Sequence, residues 1–359
     1  MVRRIVVLLV IIALFLATGY LQDKSGAIAE KVRGLFTKAP AGGGPSKTTT
    51  PPKAPEGALY EPSRWTKADT ETMVTVYYRD ADAMYLVPVS RSVPKTLAIV
   101  KTALLELFKG PAKDSGLYPS TPNMETVRLN LKTDGYLAMD LPEQSVAAST
   151  GMGSAGSAVA MDAIIGTLAE IDAVKQVQFL TDGKVTPTIF HGVAADRPFA
   201  VAPHRSENGE AILYMALYAG KRAYLVPERV NLGLGPTPAV PDAMRAALEA
   251  LKKEVKRGDF QLYPTVPTDI QFKSVSVKDR VATIDVNSKL LTVNANDKAK
   301  QCMMLDAIIF TATAFPQVGS VQITVDGKVV DQAIGHVNIG KPLTRPKWIN
   351  PEPRPIGGQ

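Results

Sequence analysis

The chain has 359 residues, of which 45% are hydrophobic and 21% charged, so it is long enough for two folded domains and is not of disordered composition. Its net charge is +7, but most of the excess lies in residues 1–71 and 342–359, which leaves the central part close to neutral. This distribution excludes a nucleic-acid-binding face. The single cysteine, Cys302, excludes an intramolecular disulfide, and its apolar helical surroundings predict a buried thiol.

The first predicted element is an uncharged apolar run from Ile5 to Leu21, which follows Arg3 and Arg4. As a helix it would extend roughly 26 Å, enough to cross the core of a bilayer. The two arginines favour a cytoplasmic N-terminus and export of the rest of the chain. We therefore predict an uncleaved single-pass anchor over residues 1–23, with a cleavable signal peptide as the alternative. No cysteine follows the run, which excludes a lipoprotein anchor.

Residues 24–71 are predicted to form a flexible linker. The stretch KAPAGGGPSKTTTPPKAPEG (residues 38–57) has almost no apolar side chains, so burial cannot offset the entropy lost on ordering. The other end of the chain has a similar composition. Residues 347–359 are predicted to be a Pro-rich tail that is extended or disordered beyond Trp348.

Three motifs occur twice, which indicates an internal duplication. The pairs are MYLVPVSRSVP and AYLVPERVNLG (from Met84 and Ala223), GLYPSTP and QLYPTVP (from Gly116 and Gln261), and MDAIIGTLAEIDAVKQVQFLTDGKV and LDAIIFTATAFPQVGSVQITVDGKV (from Met161 and Leu305). The two members of each pair are 139, 145 and 144 residues apart. We therefore predict two tandem domains, at residues 72–205 and 210–346.

Each repeat contains the same series of predicted elements. Two β-rich pieces come first (VTVYYRD and YLVPVSR, or AILYMALY and YLVPERV), and an amphipathic helix follows from Thr96, or from Pro241 to Gly258. The prolines of the Leu-Tyr-Pro loop then prevent the helix from continuing. A hairpin comes next (VRLNLK with YLAMDL, or VSVK with VATIDV), then a second helix and a last strand before a DGK turn.

This order predicts an α+β fold made of two tandem two-layer βαββαβ-type domains after the N-terminal membrane anchor. In each domain a small sheet is expected to carry two helices on one face. The Leu-Tyr-Pro loop is duplicated because the whole domain is duplicated.

The repeated motifs resemble the GerM domain, which occurs as a tandem pair in the GerM family of spore-forming bacteria. The first repeat carries YLVPVSRSVP, ALLELFKGP, SGLYPSTP, YLAMDL and VQFLTDGKV, and the second carries YLVP, LYPTVP, VATIDV, VQITVDGKV and GHVNIGKPLTRP. The resemblance implies a membrane-tethered protein outside the cytoplasm, active in sporulation, germination or related work of the cell envelope. It also implies similarity to the ring-building folds of secretion and sporulation assemblies.

No catalytic, cofactor-binding or metal-ligating residue is predicted. The histidines are His191, His204 and His336, and the first and last of these follow the two DGK turns at nearly equivalent places. That repetition favours a structural or surface role over catalysis. No HExxH, CxxC or clustered set of His and Asp residues appears in the sequence, so a zinc site is not expected.

Three pairs of aspartates also repeat, and a glycoside hydrolase would need two such acids facing one cleft. The pairs are Asp140 with Asp285, Asp162 with Asp306, and Asp182 with Asp326. We favour structural roles for all of them. The first pair is predicted to point outward on strands, the second to lie near helix starts, where a carboxylate complements the helix dipole, and the third to occupy Asp-Gly turns.

Two further stretches could suggest binding sites, but we favour a structural interpretation of both. GMGSAGSA (Gly151–Ala158) precedes a helix but lacks the Lys-Ser/Thr of a phosphate-binding loop, so it is predicted to be a flexible loop. KKEVKRG (Lys252–Gly258) is a basic run, and we predict that it is a solvated helix face rather than a patch that binds wall polymers.

These features favour a non-enzymatic, membrane-anchored scaffold or interaction protein of the sporulation or germination envelope, without a cofactor. Its partners would be envelope or sporulation-complex proteins, docked on sheet edges or helix faces. A peptidoglycan-binding module is the second hypothesis, motivated by the basic flanks. A peptidoglycan-remodelling enzyme is the third, although no group of residues in the sequence supports it.

Overall fold

The structure, a computed structural model, describes residues 57–63, 71–124, 127–147, 153–190, 192–207, 209–235 and 237–353. The predicted anchor, most of the predicted linker, His191 and residues 354–359 lie outside the described residues. Among the helices within these ranges, none combines the length and the apolar character that are needed to cross a membrane.

The described residues form an α+β fold in which the two repeats contain matching elements. Ahead of the first repeat lies a short strand, β1 (Leu59–Tyr60). The first repeat consists of β2 (Glu71–Arg79), β3 (Leu86–Pro94), α1 (Ile99–Lys109), β4 (Arg128–Leu131), β5 (Tyr136–Leu141), α2 (Glu143–Ala147), α3 (Gly153–Ala169), β6 (Gln176–Thr181), β7 (Lys184–Val185), β8 (Thr188–Ile189), β9 (Val193–Ala194) and β10 (Phe199–Ala200). The second consists of β11 (Glu210–Ala219), β12 (Arg222–Asn231), α4 (Val240–Ala250), β13 (Val255–Arg257), β14 (Phe260–Leu262), β15 (Phe272–Lys278), β16 (Val281–Val286), a 3-10 helix (Ser288–Leu291), α5 (Lys298–Ala312), β17 (Ser320–Val325), β18 (Ala333–Ile334), β19 (Val337–Asn338) and β20 (Leu343–Thr344).

Each repeat has a long antiparallel hairpin and a separate mixed sheet. The hairpins are β2–β3 and β11–β12. The sheets have the strand orders β10-β6-β5-β4 and β15-β16-β17-β20. In both sheets the two middle strands are parallel and flanked by antiparallel partners, as expected where a helix connects them. The repeats therefore share one topology, and β4 and β15 lie at equivalent open edges.

The first helix of the second repeat is shorter than its sequence pattern predicts. α4 ends at Ala250, whereas the helical spacing predicted continuation to Gly258. The amide of Thr265, in the Leu-Tyr-Pro loop, donates to the Leu251 carbonyl oxygen at 3.0 Å and so occupies the end of the helix. Val255–Arg257 form a strand instead, paired with β14. The run KKEVKRG is therefore not a solvated helix face.

One hydrophobic cluster extends through both repeats. The second helices of the two repeats differ, however, in how many of their residues are buried. All residues from Cys302 to Ala312 of α5 are buried, whereas Val159 and Asp162 of α3 keep contact with solvent. The additional cover on α5 comes from outside the repeats. Tyr60 and Ile349 belong to a second buried cluster that includes side chains of this helix.

The first Leu-Tyr-Pro loop lies against the second repeat. Gly116, at φ 73°, approaches the turn between β11 and β12 so closely that an added Cβ would lie 2.6 Å from the carbonyl carbon of Ala219. Beside it, the Tyr224 hydroxyl donates to the carbonyl oxygen of Ser115 at 2.8 Å. The loop therefore joins the repeats as well as connecting a helix to a hairpin.

We expect Gly116→Ala to lower the free energy of unfolding by about 2 kcal/mol or more, because the new Cβ meets backbone atoms and positive φ disfavours an L side chain. Gly233→Ala is the matched control, since Gly233 has φ 69° but open space around it. That control carries only the conformational cost, about 1 kcal/mol. Urea denaturation of the full chain measures both, and equal losses would contradict the close approach as the cause.

Candidate functional site: matching grooves on the two repeats

The second helix of each repeat docks on its hairpin in the same register. The Tyr77 amide donates to Thr167 Oγ1 at 3.3 Å, and the Tyr214 amide donates to Thr311 Oγ1 at 3.1 Å. The two threonines are 144 residues apart, as are the motifs that contain them. Each helix therefore presents an equivalent face beside its hairpin, and each face borders a groove.

In the second repeat the groove is filled and centred on Asp306, whose side chain is fully buried. Its Oδ2 accepts hydrogen bonds from the Tyr60 hydroxyl at 2.8 Å and from the Ser63 amide at 2.9 Å. Its Oδ1 lies 3.5 Å from Nε2 of His336. One carboxyl thus holds a segment from outside the repeat on the middle of α5.

Burial governs ionisation in this groove. It raises the pKa of Asp306 to about 7, although the hydrogen bonds from Ser63 and Tyr60 favour the charged form. It lowers the pKa of His336 to about 4, so the imidazole is neutral wherever Asp306 is ionised, and the pair does not form a salt bridge. The pKa of Cys302, in the same region, is raised by burial to about 11. Its thiol is therefore buried and protonated at neutral pH, in keeping with the prediction of a buried thiol.

The segment that fills this groove was predicted to be part of the linker. β1 runs parallel to β12, with Leu59 opposite Arg222 and Tyr60 opposite Ala223. The side chain of Tyr60 is buried in the cluster on α5. Residues 57–63 are thus part of the folded body, because the ring of Tyr60 has a groove to enter, while Leu59 stays exposed.

In the first repeat the equivalent groove is an open cavity of about 330 Å³. Its apolar lining includes Met84, Leu86 and Ile165, and the ring of Tyr77 forms part of the wall. Asp162 also lines it, makes no hydrogen bond or ion pair with any described residue, and has a carboxyl pKa that burial raises. A solvent-exposed carboxyl with no partner among the described residues therefore lies at the wall of this open cavity.

Other polar groups of this wall are paired or neutral. The buried carboxylate of Glu228 accepts two hydrogen bonds from Arg257, at 2.6 and 2.9 Å, and the Arg257 guanidinium lies 5.5 Å from the centroid of the Tyr85 ring. Burial lowers the pKa of His204 to about 4, so its imidazole is uncharged at neutral pH. Its ring lies 6.0 Å from that of Tyr77.

A half-buried arginine lies close to both repeats. The Arg345 guanidinium donates to the Phe310 carbonyl oxygen at 3.1 Å, lies 4.7 Å from the centroid of the Phe310 ring and bonds to the Tyr214 hydroxyl. In the first repeat, Glu170 accepts a hydrogen bond from the Tyr77 hydroxyl at 2.7 Å. Arg345 and Glu170 attract each other electrostatically, so these ionisable groups help to hold the repeats together.

The residues after the second repeat complete the junction. The buried side chain of Asn350 accepts a hydrogen bond from the Leu225 amide and donates to the carbonyl oxygens of Leu225 and Pro88, each at 2.8 Å. One amide group thus connects β12 with β3. Trp348 and Ile349 are buried beside it. Up to residue 353 the predicted tail is therefore packed on the repeats, because its side chains find both apolar cover and hydrogen-bond partners.

The other two pairs of repeated aspartates stabilise the DGK turns. Asp140 Oδ1 accepts a hydrogen bond from the glycine amide of its turn at 3.0 Å, and Asp285 Oδ1 accepts the equivalent one at 2.7 Å. The prediction that Asp140 points outward is wrong, since its side chain is buried. Asp182 and Asp326 occupy the turns at φ 48° and 50°, as turn chemistry predicts.

Two local predictions about the second helices are wrong. Asp162 and Asp306 lie in the middle of their helices, because α3 begins at Gly153 and α5 at Lys298. From Gly153 onward the run GMGSAGSA is the start of α3 and not a loop. Across the described ranges, no group of three or more His, Cys, Asp or Glu is placed to hold a metal ion. His191 is outside these ranges, so its predicted role stays a prediction.

The protein is thus a tandem α+β protein. Each of its two domains has a hairpin, a mixed sheet and a groove along the second helix. The family profile described as "Germane: Sporulation and spore germination" matches residues 75–186 and 213–331, more than half of the chain. The chain therefore belongs to the Germane family, and the predicted resemblance to GerM domains is confirmed.

One solved structure shows the same fold over most of the chain. The tandem GerMN domains of the sporulation protein GerM from Bacillus subtilis align with 78% of this chain and 99% of their own, at 21% identity and a TM-score of 0.58. The first GerMN domain of that protein aligns with 37% of this chain and 96% of its own, at 20% identity and a TM-score of 0.31. A putative lipoprotein from Clostridium perfringens aligns with 38% of this chain and 87% of its own, at 22% identity and a TM-score of 0.26. Among curated proteins, none matches this chain.

Proposed function

We propose that this protein is a non-enzymatic scaffold of the sporulation or germination cell envelope, anchored in the membrane by residues 1–23, with the bulk of the chain outside the cytoplasm. The observation that carries the proposal is that the segments on both sides of the repeats are built into one body with them. Tyr60 and Ser63 bind Asp306 on one side, and Asn350 connects β3 with β12 on the other.

Two further features support a binding role over catalysis. The ionisable groups near the junction are engaged in structure, as Arg345 and Glu170 illustrate. The sheets also offer surfaces for partners, since β4 pairs only with β5, and β15 only with β16, among the described strands. An open edge can accept a strand from another protein. Membership of a sporulation and germination family supports envelope proteins as the partners. The predicted likeness to ring-building domains stays a prediction.

Photo-cross-linking in the native host tests the scaffold proposal. A photoreactive amino acid at Leu131 on β4, or at Ser276 on β15, is expected to give discrete cross-links to envelope proteins, because both positions lie on open edges. Lys113, in an exposed loop, is the control position. Cross-links of equal yield at all three positions, or none at the two edges, would contradict docking on the edges.

Co-sedimentation with purified peptidoglycan sacculi tests the alternative function. If the full chain pellets with sacculi at moderate as well as low salt, wall binding replaces protein docking as the leading function, since binding by charge alone weakens with salt. Release of soluble fragments would identify a peptidoglycan-remodelling enzyme. A chain that neither pellets nor releases fragments is the result that the scaffold proposal expects.

A further inference from the structure

The two second helices present the same face to different surroundings. On α5 this face consists of Met303, Asp306 and Phe310. Tyr60 and Ser63 bond to its aspartate, and Tyr60 lies in one buried cluster with Met303 and Phe310. On α3 the residues 144 positions earlier are Val159, Asp162 and Gly166. All three of these line the open cavity of about 330 Å³. One groove is therefore filled by a peptide, and its counterpart is empty.

The filled groove shows which chemistry such a face binds. An extended segment enters it, a tyrosine ring is buried against the helix, and the hydroxyl of that tyrosine donates to the helix aspartate at 2.8 Å. The neighbouring strand contributes Arg222 and Ala223. Counting back 139 residues from the second YLVP motif to the first, their counterparts are Ala83 and Met84, and both line the empty cavity.

The empty groove has the same requirements left unmet. Asp162 has no hydrogen-bond or ion-pair partner among the described residues and is exposed to solvent, so a donor from a bound segment would replace water at its carboxyl. Met84, Leu86 and Ile165 offer apolar cover for a ring. The cavity also has the size of small-ligand sites, which span roughly 300–1,000 Å³.

The groove of the first repeat differs from that of the second in the hydrogen bonds of its backbone amides. In the first repeat, the amides of Met84 and Tyr85 donate to Asp80 Oδ1, at 2.8 and 3.0 Å, within the turn between β2 and β3. These amides are not open to an added strand. Recognition in this groove therefore depends on the side chain of the bound segment more than on pairing of main chains.

We propose that the groove of the first repeat binds an extended peptide segment of a partner protein that inserts a tyrosine, whose hydroxyl donates to Asp162. This inference deepens the proposed scaffold function, because it names the chemistry of one partner segment. The occupant is a peptide, since the matching groove of the same chain already holds one.

The test uses a labelled peptide, GALYEPS, which copies residues 57–63, and fluorescence anisotropy with the full chain. Asp162→Ala is expected to weaken binding by about tenfold or more, because it removes a hydrogen bond to a carboxylate. The peptide with Tyr60→Phe is expected to lose as much affinity for the wild-type chain, and to bind the Asp162→Ala chain as the tyrosine peptide does. Asp269→Ala, at an exposed position, is the control and should bind like wild type.

Three outcomes would overturn the proposal: no binding of the peptide at millimolar concentration, equal affinity for wild type and Asp162→Ala, or a loss of binding with Asp306→Ala and none with Asp162→Ala. The last would mean that the peptide exchanges with the resident segment in the second repeat. Failure here is distinct from failure of the scaffold function, because edge cross-linking in the envelope does not involve this groove.

Discussion

Replacing Asn350 with Ala is expected to lower the free energy of unfolding by about 3–5 kcal/mol, the first of two large effects. The change removes three buried hydrogen bonds and leaves the Leu225 amide and the carbonyl oxygens of Leu225 and Pro88 without their partner. Asn350 also has φ 44°, a backbone conformation that asparagine tolerates better than alanine.

Asn350→Gly separates the two causes, since glycine accepts positive φ but cannot make the hydrogen bonds. It should recover only the conformational part, about 1 kcal/mol. Asn130→Ala, at an exposed position on the edge strand β4, is the control and should change the free energy of unfolding by less than about 0.5 kcal/mol. Chemical denaturation of the full chain measures all three variants. If Asn350→Ala is no more harmful than Asn130→Ala, Asn350 does not connect the repeats.

Asp306→Asn is expected to make the chain more stable than wild type at pH 8 and to have little effect near pH 4. Burial raises the pKa of Asp306 from 3.8 to about 7, so the stability that its protonated form contributes is complete below pH 4 and is lost as pH rises through 7. Asparagine keeps an acceptor for Tyr60 and Ser63 and never ionises. At 1.36 kcal/mol per pKa unit, the difference between variant and wild type should grow by about 3–5 kcal/mol between pH 4 and pH 8.

The difference between the two chains is the quantity to measure, because other groups titrate in the opposite sense. The pKa values of His336 and His204 are lowered to about 4, so their neutral forms add stability as pH rises from 4 to 6.5. Both histidines are present in wild type and variant. Asp182→Asn, in an exposed turn, is the matched control for the replacement of an aspartate by asparagine. A difference that stays constant with pH would mean that Asp306 does not titrate in this range.

Much of the fold could be predicted from the sequence. Period-two alternation and the turn residues of "TDG" and "DR" correctly located the antiparallel pairs β4–β5 and β15–β16, because these signals are local. The spacing of the repeated motifs predicted one topology for both domains. The boundary of α4 could not be predicted, since its end is set by an amide of Thr265, from a loop that follows later in the chain.

The candidate site was much harder to predict. Tyr60, Ser63, Arg345 and Asn350 were not singled out, and Asp306 was placed near a helix start. Of these residues, only Tyr60 has a signal in the sequence: it lies in the short apolar piece ALY within a Pro-rich stretch. The partners of all five lie far away along the chain, as the 246 residues between Tyr60 and Asp306 illustrate.

The sequence by itself determined the duplication, the α+β class and the family, because each depends on local patterns that repeat at a constant spacing. Tertiary structure alone decided that residues 57–63 occupy one groove while its counterpart stays open. Asp162 and Asp306 are identical in type and equivalent in position, yet one carboxyl accepts hydrogen bonds from Tyr60 and Ser63 and the other has no partner among the described residues. A side chain's role depends on which distant segment packs against it, and short-range patterns do not contain that information.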